Sequence, residues 1–191
     1  MTRLIRCFWP MLMTLAVGCA AHPGTRLQGD VRVFEREQTP DRLVQRGSAF
    51  AAMGDTTRAQ QYFEAALDNG ADPSQVIPLL VTVCVRDGRY RLAVEYARRD
   101  LARKPNDTKM HFVLGTLYAG LGEVEAAQRE LELAVRGEGG NAELQYALAV
   151  LLRDQRGDLL GADHHFREYL RLSPAGDHAE EARAAMLLEV R

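Results

Sequence analysis

The stretch from Thr108 to Asn141, TKMHFVLGTLYAGLGEVEAAQRELELAVRGEGGN, decides the fold. It reads as two apolar-faced helical segments parted by Leu121-Gly122-Glu123, and it recurs along the chain. Gly47, Val81, Gly115 and Ala149 step by 34 residues, and Ala59, Ala93, Ala127 and Ala162 step by 34, 34 and 35. Four places after each of these alanines stand Phe63, Ala97, Leu131 and Phe166. Each segment pair also has a corner glycine, at Gly54, Gly88, Gly122 and Gly157, where a positive φ ends a helix. Pro73, Pro105, Gly139 and Pro174 close the units. A period of this length marks an architecture of stacked supersecondary units, none of which can bury its apolar face alone. The expected fold is all-α: four helix-turn-helix units at 40–73, 74–107, 108–141 and 142–175, then a capping helix at 176–191. That cap rests on the apolar positions Ala179, Ala182, Met186, Leu187 and Val190, spaced for one helix face.

These residues resemble the tetratricopeptide repeat (TPR). Its pattern is a small residue and an aromatic in helix A, then a small residue and an aromatic in helix B, then a proline. Gly47, Phe50, Ala59, Phe63 and Ala66 match it in the first unit, and Leu114, Gly115, Tyr118, Ala127 and Ala134 in the third. The fourth contributes Leu148, Ala149, Ala162, Phe166 and Pro174, with one extra residue in its turn. The second keeps Leu80, Ala93 and Pro105, but Val81 and Cys84 replace the usual Gly and Tyr. Gly115 is expected to nest against small residues of its partner helix, with Phe63, Leu131 and Phe166 filling the space between consecutive hairpins. Pro78 falls inside helix A of the second unit, which predicts a late start near Ile77 or a kink.

Upstream of the repeats lies an export signal. Arg3 and Arg6 precede an uncharged run of 11 residues, Cys7 to Val17, and no acid occurs before Asp30. A spanning helix needs about 20 apolar residues, so a permanent anchor is the weaker reading. Leu15-Ala16-Val17-Gly18-Cys19 resembles the lipobox of bacterial lipoprotein precursors, although Ala16 stands where Leu is preferred. The resemblance implies cleavage between Gly18 and Cys19 and acylation of Cys19. Ala20 after the cysteine implies sorting to the periplasmic face of the outer membrane. Two or more acyl chains anchor a protein stably. Residues 1–18 are thus expected to be the signal peptide and 19–39 a tether with Val31, Val33 and Phe34. Loss of Cys7 and lipidation of Cys19 leave only Cys84, which cannot form an internal disulfide.

The chain has 191 residues, 47% of them hydrophobic, and a formal charge of −2, which excludes long disorder and argues against a nucleic-acid partner. Catalytic and metal motifs are missing from the sequence. His164-His165, with Asp163 and Glu168, is the one cluster resembling ligands, and adjacent helical residues point about 100° apart. Gly47-Ser48-Ala49 lacks the context of a hydrolase elbow, and the Gly-rich corners lack the lysine of a phosphate loop. Cys84 reads as a small core residue. No enzyme activity, metal or cofactor is expected beyond the covalent lipid.

Surfaces remain. In the TPR fold the second, fifth, ninth and twelfth residues of helix A line the concave face. Those of interest here are Val44, Thr82, Val85, Lys109, Phe112, Thr116, Tyr146, Val150 and Arg153. Lys109 alone matches the lysine and asparagine clamp of chaperone-binding relatives, so that function is not carried over. The apolar stripe instead suits an apolar or amphipathic segment of a partner protein. Residues Arg86 to Lys104 carry a net +4 and Glu123 to Glu143 a net −4, which predicts pairing between neighbouring hairpins. A lipid anchor followed by TPRs is similar in plan to the pilotin-type lipoproteins of type IV pilus systems. That resemblance implies an envelope assembly scaffold whose partner is an outer-membrane secretin. Adaptors for cell-wall hydrolases and accessory factors of outer-membrane protein insertion share the plan.

Overall fold

The computed structural model of this protein describes residues 39–186. Among them the chain is helical, without strands, and its helices pair as the periodicity requires. Hairpin one joins α1 (Pro40–Ala52) to α2 (Thr56–Asp68), and hairpin two joins α3 (Pro73–Arg86) to α4 (Tyr90–Leu101). Hairpin three is α5 (Thr108–Gly120) with α6 (Val124–Gly137). Hairpin four is α7 (Ala142–Leu151) with α8 (Leu159–Leu172), and α9 (Ala179–Ala185) follows. The signal peptide, Gly18, Cys19, nearly all of the tether, and Leu187 and Val190 of the cap lie outside the described residues.

Local chemistry sets the helix ends. Side chains of Asp55, Asp72, Asp107, Asn141 and Asp158 accept hydrogen bonds from first-turn backbone N–H groups of α2, α3, α5, α7 and α8. At the A-to-B corners Gly54, Gly88, Gly122 and Gly157 have φ of 68–80°, as their positions predict. The first three corners are built alike. Asp55 N–H donates to the Phe50 carbonyl, Arg89 to Cys84 and Glu123 to Tyr118, each at 2.9 Å. In hairpin four the donor Asp158 reaches Leu152, one residue further back. The extra residue, expected in the turn, is absorbed in a π-helical turn at Leu152–Arg156.

Two sequence expectations are corrected. Pro73 does not close hairpin one: it is the first residue of α3, where its missing N–H costs nothing. Consequently α3 does not start late near Ile77, and Pro78 is carried inside the helix. There Thr82 donates its hydroxyl to the Pro78 carbonyl at 2.8 Å.

Packing inside the hairpins also differs from expectation. Gly115 faces a large side chain, not small ones: a methyl group on it would lie 2.8 Å from Leu131 Cγ. One on Gly47 would lie 2.6 Å from Phe63 Cε1. Phe63 and Leu131 therefore fill the glycine gaps of their own hairpins as well as the expected seams, where Phe63 joins Val76 and Leu80 and Leu131 joins Leu148 and Ala149. The same two columns read Val81 with Ala97 in hairpin two and Ala149 with Phe166 in hairpin four, all buried. A small residue on one helix thus accompanies a larger one on the other, and which helix supplies the bulk is reversed in hairpin two. Close-packed interiors tolerate such volume-conserving exchanges best.

Hairpins stack in chain order, with α2 on α3, α4 on α5 and α6 on α7. Polar ties reinforce hairpins and seams alike. Inside hairpin three, His111 of α5 bonds Glu130 of α6 at 2.7 Å and the Pro105 carbonyl of the preceding loop at 2.9 Å. Between α2 and α4, Tyr96 donates to Glu64 and Arg89 to Gln60. At the last seam α9 packs on α8, burying Ala179 and Ala182 while Glu180 and Arg183 face solvent. A polar outer face is what a terminal cap requires.

Candidate functional site

The A helices α1, α3, α5 and α7 form one wall of the stack, and their spacing is uneven. α1 touches α3 and α5 touches α7 at a few residues only, and contact between α3 and α5 is sparser still. Side-chain size supplies a reason. Between α5 and α7 stand Phe112 and Tyr146, whereas Pro78, Thr82 and Thr116 face the gap between α3 and α5. A cleft of about 630 Å³ opens there, lined by Pro78, Val81, Thr82 and Val85 of α3 and by Met110, Val113, Thr116, Leu117 and Gly120 of α5. Arg86 and Tyr90 close its corner end. Its two threonine hydroxyls are spoken for, since Thr116 donates to the Val113 carbonyl at 2.8 Å as Thr82 does to Pro78. Val85 and Tyr90 stay 37% and 46% exposed, enough apolar surface to reward a partner that covers it.

A second recess of about 320 Å³ lies between α5 and α7, lined by Phe112, Thr116, Ala119, Glu143, Tyr146 and Val150, with His178 at its edge. A third, of about 480 Å³, includes Asp41 and Val44 of α1 and Gln75 of α3. The sequence-expected wall residues thus divide among three recesses. Thr82, Val85 and Thr116 meet in the largest, and Phe112, Thr116, Tyr146 and Val150 in the second. Val44 is alone of the set in the third, and Lys109 is exposed and lines none of the three.

Arg153 and Tyr146 are less available than expected, because the cap holds their polar ends. Tyr146 donates its hydroxyl to Glu181 Oε2 at 2.6 Å and stacks on His178, ring centres 3.8 Å apart. Arg153 donates to Glu181 Oε1 at 2.9 Å and to Asp154 Oδ1 at 2.6 Å. Burial, then the bond to Glu181, pushes the Tyr146 hydroxyl up to about 12. The same bond, followed by that from Arg153, holds the Glu181 carboxyl below its usual range. Tyr146 and Glu181 are 35 residues apart, one repeat with its insertion, so α9 takes the register of a fifth helix A.

Sequence reasoning missed Val81, Met110, Val113, Leu117, Gly120, Arg86 and Tyr90. A helical stripe carried the signal, since Met110, Val113, Leu117 and Gly120 are spaced i, i+3, i+7, i+10 on the flank of α5 that faces α3. It also missed Asp100, a buried acid in the column that holds Ala66 and Ala134. Asp100 Oδ1 has no hydrogen-bond donor, with Arg103 Nη1 3.7 Å away.

Other candidates resolve as packing. His165 Nδ1–H donates to Gln145 Oε1 at 2.7 Å, and burial, then the charge of His164, lowers its pKa. Cys84 is fully buried, and desolvation pushes its thiol up. Among the described residues no group of three or more His, Cys, Asp or Glu is placed to hold a metal ion, and no helix is long and apolar enough to cross a membrane. Of the expected pairing between the two charged stretches, the described residues show Arg91 with Glu123, at 3.7 Å, and hairpins three and four are further joined by Arg156 with Glu125, at 2.9 Å. Arg89 and Arg103 are matched within their own hairpin, to Asp87 and Asp100.

Residues 40–69 match the family model of the tetratricopeptide repeat. Among solved structures, MamA (residues 41 to end) from Desulfovibrio magneticus RS-1 is similar at 23% identity and a TM-score of 0.67, over 74% of this chain and 80% of that one. YrrB, described as a TPR protein with an unusual peptide-binding site, gives 20% identity and 0.67 over 83% and 88%. A tetratricopeptide repeat protein from Parabacteroides merdae gives 21% and 0.72 over 78% and 59%. No curated protein matches the sequence. Repeats, corners and likeness together define a protein with the fold of a TPR solenoid, four hairpins and a C-terminal helix. Such folds serve as protein-protein interaction scaffolds.

Proposed function

We propose that this protein is a lipid-anchored scaffold of the bacterial envelope that holds a partner polypeptide against the inner wall of its solenoid. The observation that carries the reading is the open apolar cleft between α3 and α5, with its threonine hydroxyls internally bonded and Val85 and Tyr90 exposed. Phe112 and Val150 extend that wall toward α7. The anchor rests on the resemblance of Leu15–Cys19 to a lipobox, and the outer-membrane address on Ala20. Of the machines such a scaffold serves, assembly of a type IV pilus secretin fits the plan of signal, anchor and repeats most closely.

Metabolic labelling with palmitate tests the anchor: label enters the wild-type chain and is lost in Cys19→Ala. Crosslinking in intact envelopes followed by mass spectrometry tests the partner. A secretin adduct supports the pilus reading, and adducts with hydrolases or insertion machinery replace it. Loss of capture in Thr116→Trp, with an unchanged helical spectrum, ties binding to the inner wall. Undiminished capture contradicts the scaffold reading.

A further inference from the structure

We infer that the segment seated in the α3–α5 cleft presents apolar side chains to its floor and a carboxylate to Arg86 at its corner end. This rests on the scaffold reading and adds the chemistry of the bound segment. Arg86 is the single charged residue in the lining. Within the described residues its one hydrogen bond runs from Nη1 to the Ala51 carbonyl at 2.9 Å, and no carboxylate pairs with it. The neighbouring Asp87 is taken up elsewhere, accepting from the Thr56 hydroxyl at 3.0 Å and pairing with Arg89 at 2.6 Å. A guanidinium has five donors in a planar fork that matches a carboxylate, and the bond to the Ala51 carbonyl at the end of α1 uses one of them.

The molecule contains its own precedent two hairpins along. Arg153, in the π-helical turn after α7, and the Tyr146 hydroxyl hold Glu181 of a short alanine-rich helix, with Arg153 also over the Phe166 ring at 5.3 Å. There the chain supplies the acid itself. At the cleft, Arg86 stands beside the aromatic Tyr90 and exposed Val85, and the matching acid is missing. Apolar floor and unpaired cation together select an acidic amphipathic segment over a neutral or basic one.

The test selects random displayed peptides on the immobilised full-length protein and measures the selected peptides by fluorescence anisotropy. The expected result is a shared pattern of apolar residues with Asp or Glu at one end. Replacing that acid by Gln weakens binding about tenfold or more. Arg86→Glu loses the acidic peptide, and a partner peptide with the acid changed to Arg restores binding to within about threefold. Arg86→Lys, which keeps the charge and not the fork, weakens binding and retains the acidic preference. Peptides blocked by Thr116→Trp but indifferent to their acids overturn this inference while leaving the inner-wall reading intact. Peptides that bind equally to Thr116→Trp overturn both. Failure of selection together with laurate binding that Thr116→Trp abolishes makes the occupant a lipid chain and overturns the inference. So do a dimer that Thr116→Trp dissociates, and competition by a synthetic peptide of residues 28–38.

Discussion

The inner wall differs at its two ends. Between α3 and α5 it gapes over an apolar floor, with no aromatic pair to fill it as Phe112 and Tyr146 do between α5 and α7, and with an arginine that has no acid. From α7 to α9 it is closed, with Tyr146 sandwiched against His178 and Arg153 bound to Glu181. Both stretches derive from the same repeat, but Arg153 at the closed end stands in the π-helical turn that absorbs the extra residue of hairpin four. Side-chain volume on facing A helices opens or fills the gap, and the next helix either supplies a carboxylate or leaves the cation for another molecule. A solenoid can in this way close its end and keep its middle available without changing fold.

Substitutions sharpen this contrast in order of expected size. Phe166 is fully buried beneath the closed end, so Phe166→Ala is expected to cost about 3–5 kcal/mol in denaturant unfolding. A loss below that of an ordinary surface substitution would remove the closed end from the core. Gly115→Leu drives a side chain into Leu131 and is expected to cost about 1–3 kcal/mol by overpacking. Pairing Gly115→Val with Leu131→Ala, which copies the Val81 and Ala97 arrangement, should recover part of the loss. A double-mutant cycle reads a coupling of about 0.5–3 kcal/mol if the two columns truly exchange volume, and strict additivity would refute the exchange.

Smaller effects concern the cap. Glu181→Gln removes an ion pair whose members are 25% and 45% exposed at the side chain. The expected loss is within about 1 kcal/mol, seen as faster amide exchange in α9 and not in α3. Acid should act in the same direction. The folded pKa of Glu181 is depressed, so its contribution is present above its unfolded value and lost as pH falls through the folded one. His165 is also depressed, by burial, so the unfolded chain takes up protons first and stability falls as pH drops below about 6.5. Stability that rises on acidification from neutrality would contradict the His165 assignment.

Much of this was legible in the sequence wherever backbone geometry demanded a residue type. Gly54, Gly88, Gly122 and Gly157 located every A-to-B corner, because only a positive φ ends those helices. The 34-residue stride gave the hairpins and their order. What escaped was set by side chains meeting across the stack. Nothing at Phe63 or Leu131 states that it fills its own hairpin as well as the next seam. The volumes of Gly47 and Gly115 show that once both columns are read together. The wall residues were taken from one inward-facing line per helix, so the flanks of α3 and α5 that make the cleft went unnoticed. Tyr146 and Arg153 read as open groove because the cap had been recognised by its alanines, not by Glu181. Cys19 and the lipobox stand on resemblance alone.

Photocrosslinking from the inner wall in intact cells tests the central claim most directly. A benzophenone amino acid at Val85 or Thr116 is predicted to yield adducts with a second protein, and the same group at exposed Glu95 of α4 is predicted to yield none. Adducts from Glu95 with none from Val85 or Thr116 would place the partner on the opposite face and contradict the account.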